Sequence, residues 1–73
     1  MTYMPKRAAT LIGQNIRKYR HRLGISQDAL SKRADLTVIT IINVESGKTA
    51  NPTIATVKKI ARALQVSLDD LVE

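Results

Sequence analysis

The chain contains no cysteine. That excludes disulfide staples, thiolate metal sites and a thiol nucleophile, while leaving the cellular compartment open. Histidine occurs once, as His21, in a strongly basic stretch. There is no Gly-rich phosphate loop and no cluster with metal-ligand spacing. Asp69 and Asp70 are adjacent, so they do not share one helical face as a cooperating acid and base would. Neither enzymatic activity nor a metal or other cofactor is expected. The opening residues, MTYMPKRAATLIG, lack the continuous apolar core of a secretory signal. No apolar run approaches the roughly 20 residues that span a bilayer. A soluble cytoplasmic protein with no membrane association is the expectation.

Acidic residues are scarce in the first half. Residues 1–34 hold eight Lys and Arg against Asp28 alone, a charge of +7, whereas residues 35–73 hold four bases and five acids, a charge of −1. The whole chain carries +6. A basic half on so small a chain points to a polyanionic partner, nucleic acid before an acidic membrane. At 73 residues the sequence makes one domain. A core of that size stabilises by only a few kcal/mol, so self-association would help.

No internal repeat or low-complexity tract is present, and the periodicity is helical. Residues 1–7 read as a flexible basic arm, with residues 8–73 forming the domain. Pro5 also suits the first position of an earlier helix start. Ile12, Ile16, Tyr19 and Leu23 fall on one helical face, and Gly24 suits a left-handed stop. This predicts a first helix over Ala8–Leu23. Ser26 can cap a second helix, Gln27–Ala34, with Leu30 and Ala34 inward. Asp35 occupies the following turn. Asn51 and Pro52 suit the start of a fourth helix ending near Leu64, with Ile54, Val57, Ile60, Ala61 and Leu64 on one face. Ser67 with Asp70 has capping-box spacing for a short fifth helix containing Leu68, Leu71 and Val72.

The segment between is harder. Thr37 to Ile42 are six β-branched residues in a row, which suggests a strand. The run does not alternate polar with apolar, and a lone strand among helices would leave its backbone groups unpaired. Thr37 can act as an N-cap, Leu36, Ile41 and Val44 define an inward face, and Gly47 supplies a stop. A third helix over Val38–Ser46 is therefore predicted. Its β-branched residues cost roughly 2–3 kcal/mol in total against alanine. Burial of Ile41 and Val44 returns roughly 1.5–3 kcal/mol each. The helix depends on tertiary packing.

Helices 2 and 3 are joined by about three residues, Asp35 to Thr37, which is helix-turn-helix spacing. The sequence resembles the lambda/Cro repressor-like, or Xre-type, family from about Ile12 to Val72. The matching residues are Ile12-Gly13, Ile16-Arg17, Arg20, GISQ at 24–27, Leu30, Leu36-Thr37, Ile41, VESGK at 44–48, Pro52, KIARAL and VSLDDL. The resemblance implies an all-α, five-helix DNA-binding domain. It implies Ser26 and Gln27 at the DNA backbone, Gln27 bonding a phosphate or a base edge; helix capping is the alternative for Gln27. Helix 3 would enter the major groove with Thr37, Val38, Ile39, Ile42 and Asn43 facing DNA and Thr40 at the edge. Lys48 and Thr49 would meet phosphates. Arg20 and Glu45 would form a partly buried ion pair joining helix 1 to helix 3.

The sequence departs from the family pattern in three respects. Asp35 stands where glycine is usual, and Gln65 where glycine or a small polar residue is common. The DNA-facing positions are poor in donors, with Val38, Ile39 and Ile42 in place of polar side chains. The thymine methyl is the apolar feature of the major groove, and Asn43 can pair with adenine. An A·T preference in each half-site follows. The expected function is a sequence-specific transcriptional regulator of double-stranded DNA, a dimeric autoregulated repressor on a pseudo-palindromic operator. The dimer surface is expected on helix 4, helix 5 and Val72. The alternatives are the antitoxin of a toxin–antitoxin pair, with Val38, Ile39 and Ile42 contacting the toxin, and a restriction–modification controller.

Overall fold

Among the described residues of the computed structural model five helices follow one another: α1 (Pro5–Leu23), α2 (Gln27–Ala34), α3 (Val38–Ser46), α4 (Ile54–Leu64) and α5 (Leu68–Val72). The structure describes residues 5–49 and 51–73, with the backbone alone for residues 5–10. No strand occurs among the described residues. The β-branched run is helical.

The helix boundaries are written in hydroxyls and left-handed turns. Ser26, Thr37, Thr53 and Ser67 each accept a hydrogen bond from the amide three residues on, at 3.0, 3.2, 3.1 and 3.1 Å. Each such cap stabilises by about 1 kcal/mol. At Ser67 the box is complete, because the Ser67 amide also donates to Asp70 Oδ2 at 3.0 Å. Gly24, Asp35, Gly47 and Gln65 end helices with φ of 68, 58, 84 and 61°. After three of these the chain closes with a bond five residues back: Ile25 to Arg20, Leu36 to Ser31 and Val66 to Ala61. That is the Schellman closure, which requires the left-handed residue. Asp35 and Gln65 therefore perform a glycine's task with a side chain present.

Two boundaries differ from the sequence expectation. α1 begins at Pro5, three residues before Ala8, so residues 5–7 of the expected arm are helical and residues 1–4 lie outside the described residues. Proline is suited to that first position because its missing N–H has no intrahelical partner there. α4 begins at Ile54, with Thr53 and not Asn51 as its cap. Two capping-competent residues flank Pro52, and it is the Thr53 hydroxyl that reaches a helix amide.

Each helix sends one side chain wholly into the core: Ile16, Leu30, Ile41, Ile60 and Leu71. Ala34, Val44, Val57, Ala61 and Leu64 complete the buried cluster, and Ile12, Tyr19 and Leu36 pack against it half-buried. Truncating any of the five large residues to alanine removes about 2–5 kcal/mol. Two residues expected on inward faces are instead exposed, Leu23 by 41% and Ile54 by 63%. Both lie at helix ends, where the apolar stripe runs past the neighbouring helices. The Asn15 amide on α1 donates to the Leu71 carbonyl at 2.8 Å, which ties the last helix to the first.

Candidate nucleic-acid interface

The turn from Asp35 to Thr37 sets α2 and α3 against each other, with Leu30 and Ile41 buried between them and the rest of the core. α3 has two sides. Ile41, Val44 and Glu45 are buried. On the other side Ile39 is 61% and Ile42 39% exposed. Val38, Thr40 and Asn43 are half-buried at the margins, and Thr37 is exposed. The Thr37 hydroxyl also shares a 3.0 Å bond with the Thr40 hydroxyl, so the first turn of α3 is held by its own side chains. Beyond Gly47, Lys48 and Thr49 are exposed. Their backbone is pinned to α3, Thr49 N donating to Asn43 O at 3.0 Å and Lys48 N to Ser46 Oγ at 3.3 Å.

One carboxylate organises the junction of three helices. The Glu45 side chain is 1% exposed and takes both oxygens to Arg20, with Nε to Oε2 at 2.7 Å and Nη2 to Oε1 at 3.1 Å. The remaining Arg20 nitrogen, Nη1, donates to Ile25 O at 3.0 Å. Gln27 Nε2 donates to Glu45 Oε1 at 3.0 Å. Thus α1, α2 and α3 meet on Glu45, and every buried side-chain polar atom among the described residues has a partner. A buried pair made this complete offsets the desolvation of its charges; removing one partner of such a pair costs about 3–5 kcal/mol.

Gln27 is not the helix cap; that place belongs to Ser26. Its orientation is chemically determined. An ionised carboxylate only accepts, so the Gln27 amino group must face Glu45. The carbonyl oxygen and the second N–H remain for another partner.

Two residues of this junction carry no role in the sequence reading. Gly13 is where α1 crosses α3: a Cβ there would lie 2.5 Å from the Glu45 carbonyl oxygen and 2.6 Å from that of Val44. Arg17 lies with Nε 3.8 Å from Glu45 Oε1 and its side chain 57% exposed. It sits three residues before Arg20, hence on the same side of α1. That spacing was the available signal for Arg17. Gly13 stands among the residues that match the family pattern, but its close backbone approach is not written in periodicity.

A helix-turn-helix family model matches residues 16–71. The chain belongs to the helix-turn-helix family, in its Xre/Cro-lambda type. The family comprises DNA-binding transcriptional regulators and is not enzymatic. An uncharacterized HTH-type transcriptional regulator from Archaeoglobus fulgidus is 36% identical over 56 residues, covering 77% of this chain and 79% of that protein. Among solved structures, the restriction-modification controller protein C.AhdI from Aeromonas hydrophila superposes with a TM-score of 0.82 at 28% identity, covering 86% of this chain and 94% of that one. The five-helix arrangement is thus the lambda repressor-like fold. No helix among the described residues is long and apolar enough to cross a membrane.

Proposed function

We propose that this protein is a cytoplasmic, sequence-specific repressor that reads the major groove of double-stranded DNA with α3. It acts as a homodimer on a pseudo-palindromic operator in its own control region. The observation that carries this reading is the outward side of α3, where Ile39 and Ile42 stand uncovered while Ile41 and Val44 are buried. A helix placed by Glu45, Arg20 and Gln27 presents those isoleucines in one fixed orientation. In the major groove their counterpart is the thymine methyl, with Asn43 available to adenine, so A·T pairs are favoured in each half-site. Ser26, Gln27, Lys48 and Thr49 flank this row and contact phosphates. Thr37, Val38 and Thr40 line its margin. One short helix reads too few base pairs to act alone, which favours two copies on two half-sites. Exposed Ile54 on α4 and Val72 on α5 supply apolar surface for the second copy.

The test is binding to the upstream region, footprinted across a salt series, with two perturbations. Ile42→Lys should abolish specific binding with the fold intact. Replacing the contacted thymines by uracil, which removes only the methyl, should weaken it. Undiminished binding by Ile42→Lys, or selection of G·C-only half-sites, refutes the reading.

A second reading is a controller of a restriction–modification system, favoured by the likeness to C.AhdI over 86% of the chain. It keeps the same reading face and differs in the genes controlled. Methylase and endonuclease genes beside the operator would distinguish it.

A further inference from the structure

Between the C-terminal end of α2 and α4 lies a groove of about 290 Å³ lined by Arg33, Ala34, Asp35, Lys59, Arg62 and Ala63. It contains none of the residues assigned to the DNA-reading face. Small side chains leave the space, Ala34 on α2 and Ala63 on α4. Long cationic ones surround it.

The charges there are unbalanced. Lys59 and Arg62 are three apart on α4, so they share a face and repel. α4 carries no acidic residue that would offset them. Arg33, Lys59 and Arg62 make no ion pair or side-chain hydrogen bond among the described residues, whereas neighbouring Lys32 has Asp28 at 3.3 Å. Three cations thus face one carboxylate, Asp35. Two guanidinium forks and an ammonium around a recess match the oxygens of a phosphate better than those of any neutral ligand.

We propose that this groove is a binding site for an oxyanion of the phosphate class, distinct from the α3 reading face. Two sources share that chemistry. One is the DNA backbone beside the half-site, since Asp35 lies only two residues before Thr37, the cap of α3. The other is a free phosphorylated small molecule.

The test titrates the full chain with inorganic pyrophosphate at low salt, following backbone amides by NMR. The amides of residues 33–35 and 59–63 should shift together. Arg62→Gln should weaken binding about fivefold, the factor carried by one unit charge at about 4 Å in bulk water. Asp35→Asn, which keeps the left-handed turn and removes the carboxylate, should tighten it by a similar factor. Both positions are exposed, so unchanged circular dichroism is expected. Duplex binding by the same variants separates the sources. A salt slope lowered by about one in Arg62→Gln identifies a DNA phosphate, and an unchanged slope with pyrophosphate still bound identifies a free ligand. The proposal is overturned if pyrophosphate shifts these amides no more than those around Lys18 and Arg22. It is equally overturned if the two variants fail to change pyrophosphate affinity in opposite directions. The pyrophosphate measurement uses no DNA, so its failure is separate from a failure of the α3 reading.

Discussion

Gly13→Ala sets two physical effects against each other. In an isolated helix the change is favourable, because glycine is about 1 kcal/mol less helix-stabilising than alanine. Here the new Cβ would meet two backbone carbonyl oxygens of α3 at 2.5 and 2.6 Å. Backbone atoms cannot rotate away as a side-chain tip can. Reaching ordinary contact requires α1 and α3 to separate by nearly 1 Å, judged from those distances. The separation loosens Ile16 against Ile41 and draws Glu45 from Arg20. Overpacking of this kind costs about 1–3 kcal/mol, and the helix preference returns up to about 1. A net loss of about 1–2 kcal/mol follows, which in a domain of this size lowers the melting temperature by about 5–15 °C. Calorimetry reads the shift, and urea unfolding checks that the slope is unchanged. A rise in melting temperature would show that the helix crossing tolerates a methyl group and would refute the argument.

Glu45→Ala should destabilise by about 3–5 kcal/mol in urea unfolding, because it leaves Arg20 buried without its carboxylate. Replacing both Arg20 and Glu45 by methionine should recover most of that loss, and a double variant as unstable as the single one would contradict it. Gln65→Gly removes a left-handed non-glycine residue at φ 61°. The relief of about 1–2 kcal/mol exceeds the added unfolded-state entropy of about 0.4–1, so calorimetry should show a modest rise in melting temperature. Lys48→Ala should leave folding unchanged and reduce the slope of log K against log salt for DNA by about one; an unaltered slope would remove Lys48 from the phosphate contacts.

Much of this architecture is legible along the chain because its signals are local. Ser26, Thr37 and Ser67 announce helix starts by chemistry acting over three residues. Spacings of three and four find Ile16, Leu30, Ile41, Ile60 and Leu71. The errors arise where local pattern meets tertiary extent. Leu23 and Ile54 continue an apolar stripe, yet at the helix ends both are exposed. Asn51 and Thr53 compete for one cap on equal local terms, and the geometry of the chain around Pro52 decides. Within the candidate site, the outward set on α3 is what the family resemblance implies, because the β-branched run is apolar on every side and its periodicity does not sort it. The Gln27 contact with Glu45 spans 18 residues and has no local signature. Gly13 against Val44 and Glu45 is a contact between backbones, invisible to any count of side chains.

The two-sided build of α3 has an evolutionary consequence. The buried side of the helix is Ile41, Val44 and Glu45, while Ile39 and Ile42 are exposed on the other side. Exchanges at exposed positions usually alter stability by no more than about 0.5 kcal/mol. The outward row can therefore be rewritten one residue at a time without passing through an unfolded intermediate. If α3 reads DNA as proposed, operator preference and foldability rest on separate residues, so recognition can diverge on this scaffold at little cost in stability.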